Sequence, residues 1–192
     1  MVLCVDEKSQ IQALDRTQPG LPLKRARAAT MTHDYKCHGT TTLFAALDVK
    51  SGKVIGDYMP RHRTKEFLKF LRQIEKAVPP RRDVHLVLDN YATHKMPEVK
   101  AWLDKHPRFK LHFTPTSASW LNLVERFFAE ITSRRIRRGS YSSVDDLETA
   151  IYNYLAHHNE QPKPFRWTKS AEDILARERR ALNALDEIRG NR

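Results

Sequence analysis

Apolar residues recur through residues 1–115 in short runs that are typical of β-strands. Five such runs are predicted to be strands, and they are 2–7 (VLCVDE), Thr40–Val49, Lys53–Tyr58, 84–89 (VHLVLD) and 109–115 (FKLHFTP). Lys50–Gly52 separates the second run from the third, so these two runs predict a hairpin. Residues 15–39 contain the turn-forming stretch TQPGLP and the basic stretch LKRARA, and we expect irregular structure there.

Helical spacing of apolar residues dominates the other segments. In residues 64–77 the apolar positions recur three and four residues apart, which is the spacing of one helix face. Four further helices are predicted from spacing and capping residues: Pro97–Lys105, Ser119–Arg138, a helix capped by Ser143, and a last helix capped by Thr168 or Ser170. The order of strands and helices predicts a mixed α/β domain with a central sheet.

The composition is that of one globular domain. The chain has 192 residues, of which 30% are charged and 40% hydrophobic. No apolar run approaches the roughly 18 residues of a membrane helix, and the short start MVLCV does not resemble a signal peptide. Cys4 and Cys37 form no disulfide framework, so we expect a reducing, cytoplasmic setting without a membrane partner.

The charge suggests a polyanionic partner. The net charge is +11, and residues 61–139 alone carry 18 basic and 8 acidic side chains. Such an excess is typical of proteins that bind nucleic acid, although a solvated surface would explain charge alone equally well.

Three acids lie where packing alone would not place them. Asp6 and Asp89 each end an apolar strand, and Glu125 lies at the margin of the apolar stripe of a predicted helix. Buried carboxylates are normally paired or bind a cation, and oxygen ligands suit Mg²⁺ or Mn²⁺. Each acid could also be an ordinary strand-end or surface residue, and the spacing leaves both interpretations open.

Four sequence blocks resemble the catalytic domain of DDE transposases, in particular the bacterial insertion-sequence branch related to the mariner elements. The blocks are VDE at 5–7, HGTTTLFAALDVKSGKVIG at 38–56, LVLDNYATHK at 86–95 and TPTSASWLNLVERFF at 114–128. The stretch HNEQPKPFRWTKSAEDIL is also similar to that branch. The resemblance therefore extends over nearly the whole chain.

The resemblance implies a ribonuclease-H-like fold, with a central mixed five-stranded sheet flanked by helices. It implies that the catalytic and metal-binding acids are Asp6, Asp89 and Glu125. These acids would hold two Mg²⁺ ions, which Mn²⁺ can replace. The implied reaction is cleavage of double-stranded DNA at a transposon end, followed by transfer of the freed 3′ hydroxyl to target DNA. We expect a homodimer on DNA.

The resemblance also bears on domain organisation. Residues 1–180 would form the catalytic domain and 181–192 a tail that frays beyond Arg180. Relatives carry helix-turn-helix modules before the first aspartate, which here is residue 6, and we expect that module to be absent. Two alternatives stay open: a ribonuclease-H-like nuclease that only hydrolyses, and an inactive DNA-binding remnant.

Other residues are candidates for supporting roles. We expect Asn90, His94 and Asn122 at the edge of the site, and Glu7, which alternates with Asp6, on the opposite sheet face. Spacing of His33, Cys37 and His38 matches no strong zinc pattern. Candidate DNA-binding residues fall into two groups. The first is an arginine cluster, expected on the Glu125 helix at the rim of the site: Arg134, Arg135, Arg137 and Arg138. The second is a basic track: Lys24, Arg25 and Arg27.

Overall fold

The computed structural model describes residues 1–16, 34–115, 121–164 and 170–190. The strands are β1 (Val2–Arg16), β2 (Tyr35–Asp48), β3 (Val54–Met59), β4 (Val84–Leu88) and β5 (Phe109–Phe113). The helices are α1 (Thr64–Ala77), α2 (Pro97–Lys105), α3 (Val124–Arg134), α4 (Val144–Glu160) and α5 (Ala171–Gly190). None of the helices in the described ranges is long and apolar enough to cross a membrane.

The five strands form one mixed sheet in the order β3-β2-β1-β4-β5. β2 is antiparallel to β1 and β3, whereas β4 is parallel to β1 and β5. The predicted hairpin is the β2–β3 pair, and β1 is the central strand. The prediction of a mixed five-stranded sheet flanked by helices is confirmed.

The first two strands are longer than the apolar runs predict. β1 continues to Arg16 and β2 begins at Tyr35, so both enter the segment that was expected to be irregular. Antiparallel pairing stabilises these extensions, and it passes through register shifts between Lys8 and Ile11 and between Gln12 and Leu14. The prediction failed here because cross-strand pairing, rather than an apolar run, supports these residues.

Helices cover both faces of the sheet. On one face α1 and α2 bury a core that includes Leu3, Val5 and Phe44. On the other face α3 and α4 bury a core that includes Cys4 and Leu43. Side chains along β1 therefore alternate between the α1–α2 face and the α3–α4 face, as the pleat of a strand requires.

Two helices differ from their predicted bounds. α3 begins at Val124 rather than Ser119, which lies outside the described residues, and it ends at Arg134. A separate 3₁₀ turn follows at Ile136–Arg138. α5 continues as one helix to Gly190, through the boundary predicted at residue 180. The predicted caps are present: Ser143 Oγ accepts the Asp146 N–H, and Ser170 Oγ accepts the Asp173 N–H.

Candidate active site

The parallel pairing of β1 with β4 sets two acids side by side. The last recorded pair joins Cys4 to Val87. Asp6 lies two residues beyond Cys4, and Asp89 lies two residues beyond Val87. Because paired strands lie about 4.8 Å apart, continuing this register beyond the end of β4 brings the two acids to the same level. Asp6 is 7% exposed, and Asp89 is partly exposed.

Asn122 fixes the start of α3 against β1 and so brings the third acid to this end of the sheet. The Asn122 side chain is buried, and its Nδ2 donates to the Val5 carbonyl at 2.9 Å. The Asn122 carbonyl accepts the Glu125 N–H at 3.1 Å. One residue is therefore bonded both to the strand position before Asp6 and to Glu125.

The three acids interact electrostatically. Burial raises the pKa of Asp6, the Glu7 backbone N–H lowers it, and the charges of Glu7, Asp89 and Glu125 raise it, to a result of about 7. Asp89 and Glu125 are therefore near enough to Asp6 to disfavour its ionised form. Such a carboxylate is unfavourable unless a positive charge compensates it.

A tight turn fixes Asp89 at the end of β4. Its Oδ1 accepts the Tyr91 N–H at 3.2 Å, which is the geometry of an Asx-turn. His94, in the 3₁₀ turn Ala92–Lys95, places its Nδ1 3.2 Å from the same oxygen. Both contacts fall on Oδ1, so the turn fixes the orientation of the whole carboxylate group.

His94 also contacts a second acid. It is 2% exposed, its ring lies 4.5 Å from that of Phe67, and its Nε2 lies 3.7 Å from Glu7 Oε2. Burial lowers the pKa of His94, but hydrogen bonding and the charges of Glu7 and Asp89 outweigh that effect, so the net shift is upward. Glu7 therefore points toward the α1–α2 face, opposite Asp6, and still reaches Asp89 through His94.

The site offers carboxylate oxygens, which are suitable ligands for a divalent cation. Within the described residues, no three His, Cys, Asp or Glu side chains are close enough to hold a metal ion. Like charges repel without a cation, and Glu125 is exposed in the first turn of α3, so its side chain can rotate without disturbing the core. A buried aspartate with a raised pKa beside two other carboxylates matches the preference of Mg²⁺ and Mn²⁺ for oxygen ligands.

Two of the predicted edge residues are buried and the third is exposed. Asn122 and His94 lie under the site and contact its strands and acids, as described above. Asn90 is exposed directly after Asp89, and its Oδ1 accepts a hydrogen bond from Lys95 Nζ. Lys95 Nζ also lies 5.0 Å from the centre of the Phe113 ring. Lys95 was not among the predicted site residues, because its contact with Asn90 arises only where the turn after β4 folds back.

The arginine cluster lies at the end of α3 and in the turn that follows it. Arg134 is nine residues after Glu125, about two and a half helical turns, and therefore lies on the opposite side of α3. It pairs with Glu130 at 3.2 Å and lines a pocket of about 690 Å³ with Phe127. Arg134 therefore faces away from Glu125 on the helix, because a helix turns 100° per residue.

Arg135, Arg137 and Arg138 are exposed just beyond α3, at the far end of β1. Arg16 Nη2 donates to the Arg137 carbonyl at 3.0 Å, which ties this turn to the last residue of β1. Glu125 and Arg134 are nine residues apart on α3, about 14 Å along the helix axis, and Arg137 lies beyond that end of the helix. This group therefore lies well away from the acids.

Other candidates lie partly outside the described residues. Lys24, Arg25, Arg27 and His33 are in residues 17–33, which the structure does not describe. His38 lies within β2 rather than in a loop before it, and its Nε2 is 3.6 Å from Asp15 Oδ2.

Sequence comparison identifies a family. A profile described as DDE superfamily endonuclease matches residues 1–148. The "Insertion element IS630 uncharacterized 39 kDa protein" of Shigella sonnei is 26% identical over 89 residues, a match that covers 46% of this chain and 26% of that protein.

Comparison with solved structures gives the same fold. A pre-cleavage Mos1 transpososome has a TM-score of 0.62 at 14% identity, covering 86% of this chain and 57% of that one. A Mos1 mariner paired end complex with Mn has a TM-score of 0.59 at 15% identity, covering 81% and 48%. The catalytic core domain of BIV integrase has a TM-score of 0.53 at 16% identity, covering 94% and 97%. These similarities confirm the predicted ribonuclease-H-like fold.

Proposed function

Because this chain belongs to the family of DDE superfamily endonucleases, we propose that it is the catalytic domain of a transposase, which cleaves DNA strands and transfers them to target DNA. The observation that carries the proposal is the proximity of the acids: the register of β1 and β4 brings Asp89 level with Asp6, and burial together with the charges of Glu7, Asp89 and Glu125 raises the pKa of Asp6. The fold is shared with Mos1 complexes described as containing a transposon end or Mn, and we extend that chemistry to this chain. Residues 1–180 would form the domain and 181–192 its tail.

The proposed roles of the acids are those that the family resemblance implies. Asp6, the most buried of the three, would bind both metal ions, and Asp89 and Glu125 would each complete one. Mg²⁺ would be the natural ion and Mn²⁺ a substitute. When bound, two such ions activate a water or a 3′ hydroxyl and stabilise the leaving oxygen of a phosphodiester.

The protein supplies orientation and a low-dielectric setting. The Glu7 N–H donates to Asp6 Oδ1 at 2.8 Å and fixes that carboxylate. Burial of Asp6 strengthens its attraction for a cation, because charges interact more strongly away from water. The Asn122 bonds to Val5 and Glu125 hold α3 at one position on β1. The same contacts would keep the acids aligned during the two successive steps of cleavage and joining.

The exposed arginines beyond α3 would bind the duplex at a distance from the cut. A separation of about 14 Å corresponds to about four base pairs of a duplex. Arg135, Arg137 and Arg138 would then position the DNA through its phosphates and carry no sequence information. We also propose that two copies of the chain act together on DNA.

Replacing Arg137 and Arg138 together by alanine should weaken binding to any duplex by a similar factor. Each lost phosphate contact should reduce the slope of log affinity against log salt by about 0.9. Fluorescence anisotropy of a labelled 30-base-pair duplex across a salt series measures both quantities. Arg72→Ala on α1, which packs on the other sheet face, is the matched control, and an equal loss in that variant would argue against a specific role for the turn.

A joining assay tests the proposed function. The protein is incubated with supercoiled plasmid and a fluorescent blunt duplex that bears 3′ hydroxyls, in the presence of Mg²⁺ or Mn²⁺. We expect nicked plasmid and, in addition, fluorescent plasmid that contains the joined duplex. Both products should disappear when EDTA removes the divalent ion.

The same assay separates the alternatives. Nicked plasmid without any joined product would support a nuclease that only hydrolyses. Binding of the duplex without nicking or joining, together with no effect of Asp89→Ala on any measured property, would support an inactive DNA-binding remnant.

A further inference from the structure

Glu7 is held in a row of side chains that ends at Asp89. Its Oε2 lies 3.7 Å from His94 Nε2, and His94 Nδ1 lies 3.2 Å from Asp89 Oδ1. His94 is the middle member of the row and the most buried, with 1% of its side chain exposed, against 12% for the side chain of Glu7 and 36% for that of Asp89. The row therefore passes through the protein interior on the α1–α2 face and ends at the acid that follows β4.

Such an arrangement needs a reason, because burying an acid and an imidazole is costly. A buried ion pair is often no better for stability than apolar residues of similar volume, and losing one partner is strongly destabilising. A residue on the α1–α2 face of β1 would ordinarily be apolar, as Leu3 and Val5 are. Glu7 follows them with a carboxylate instead. Among the described residues, its ion pair is with His94.

The contacts of His94 fix the orientation of its imidazole ring and of the Asp89 carboxylate. The Phe67 ring packs against one side of it, and the backbone N–H of His94 donates to the Tyr91 carbonyl at 3.2 Å. The ring can therefore present Nδ1 to Asp89 only if Nε2 faces Glu7. Within the described residues, the His94 ring and the Tyr91 N–H both contact Oδ1 of Asp89, so we assign a ligand outside the turn to the other oxygen, Oδ2.

We propose that Glu7 is a positioning residue, which orients His94 and through it aligns Asp89 Oδ2 for a divalent cation. The inference rests on the proposed function, since it assumes that Asp89 binds a metal ion. Partners one shell beyond a ligand commonly fix its orientation, and their removal costs about 10- to 100-fold in metal affinity or activity.

The chain offers a matched control on the same side of the sheet. Glu75 Oε2 lies 3.4 Å from His106 Nε2, and the His106 ring stacks on Trp102 at 3.9 Å. His106 Nδ1 lies 2.6 Å from the Trp102 carbonyl, so this acid–imidazole pair leads to the backbone and not to a site acid. Glu75→Gln therefore removes the same kind of pair without touching Asp89.

The test measures Mn²⁺ binding to the full chain by electron paramagnetic resonance of the free ion. Glu7→Gln should raise the Mn²⁺ dissociation constant by about 10-fold or more, and Glu75→Gln should leave it at the wild-type value. His94→Gln and the double variant complete a cycle. If Glu7 acts through His94, the double variant should bind Mn²⁺ no more weakly than His94→Gln alone.

Several outcomes would overturn the role of Glu7. These are wild-type Mn²⁺ affinity in Glu7→Gln, an equal loss in Glu75→Gln, or fully additive losses in the double variant. Should Glu7→Gln not fold, as judged by circular dichroism, Glu7→Asp replaces it and should bind Mn²⁺ more weakly than the wild type, because its carboxylate lies farther from His94.

Plasmid nicking by the same variants separates this inference from the proposed function. A wild-type chain that neither binds Mn²⁺ nor nicks plasmid would contradict the proposed function itself. A wild-type chain that does both, alongside a Glu7→Gln variant that does both equally well, would contradict only the role assigned to Glu7.

Discussion

Asp6→Asn should reduce metal-dependent nicking of plasmid DNA by more than about 100-fold, because loss of a ligand should exceed the 10- to 100-fold cost of losing an outer partner. Asparagine keeps the shape of aspartate and can still accept the Glu7 N–H, which lies 2.8 Å from Oδ1. It lacks the negative charge that a divalent cation needs. The initial rate of nicking in Mg²⁺ and in Mn²⁺, at equal protein concentration, measures the loss.

Asp57→Asn is the matched control for this loss. Asp57 is a partly buried strand acid on β3, which is separated from β1 by β2, and it pairs with Lys69 at 3.6 Å. Its replacement should leave the nicking rate close to that of the wild type. Equal rates for Asp6→Asn and the wild type, in a folded protein, would mean that the metal site lies elsewhere.

The local parts of this fold are predictable from sequence, because each strand carries its own apolar run. The runs at 84–89 and 109–115 correspond to β4 and β5, and the turn at Lys50–Gly52 corresponds to the β2–β3 hairpin. The proximity of Asp6 to Asp89, in contrast, could not be predicted from local apolar runs. It depends on the pairing of Cys4 with Val87, which are distant in sequence, and only the family resemblance predicted it.

The contacts around the acids could not be predicted, because they depend on loops. Alternation along β1 correctly indicates that Glu7 faces away from Asp6. The same reasoning cannot show that the turn after β4 returns His94 to meet Glu7. The continuous helix expected through Arg138 is divided instead, since α3 ends at Arg134 and a second turn follows.

The free energy of unfolding of the metal-free protein should fall as the pH rises from about 4 to about 7. The ordinary pKa of Asp6 is 3.8 and its folded pKa is about 7, so the folded state binds the proton more tightly in that window. The stabilisation is complete below pH 3.8 and is lost as the pH passes the folded pKa. A shift of this size corresponds to roughly 4 kcal/mol.

Urea denaturation at pH 4.5, 6 and 8, followed by circular dichroism, measures this dependence when wild type and Asp6→Asn are compared. His94 faces Glu7 and Asp89 and also has a raised pKa, so its contribution likewise falls as the pH rises. The difference between the two proteins therefore isolates Asp6 better than either profile alone. Asp6→Asn should show the flatter profile, and parallel profiles would contradict the raised pKa.

Mg²⁺ should reverse the loss in the wild type and have little effect on Asp6→Asn. A ligand that binds only the folded state stabilises it by about 2.7 kcal/mol at a concentration 100 times its dissociation constant. That gain should be largest at pH 8, above the folded pKa of Asp6, where its carboxylate is ionised. A bound cation would then offset the burial and the neighbouring negative charges that disfavour this ionised carboxylate in the metal-free fold. Asparagine carries no such charge, which is why Asp6→Asn should gain stability and lose activity.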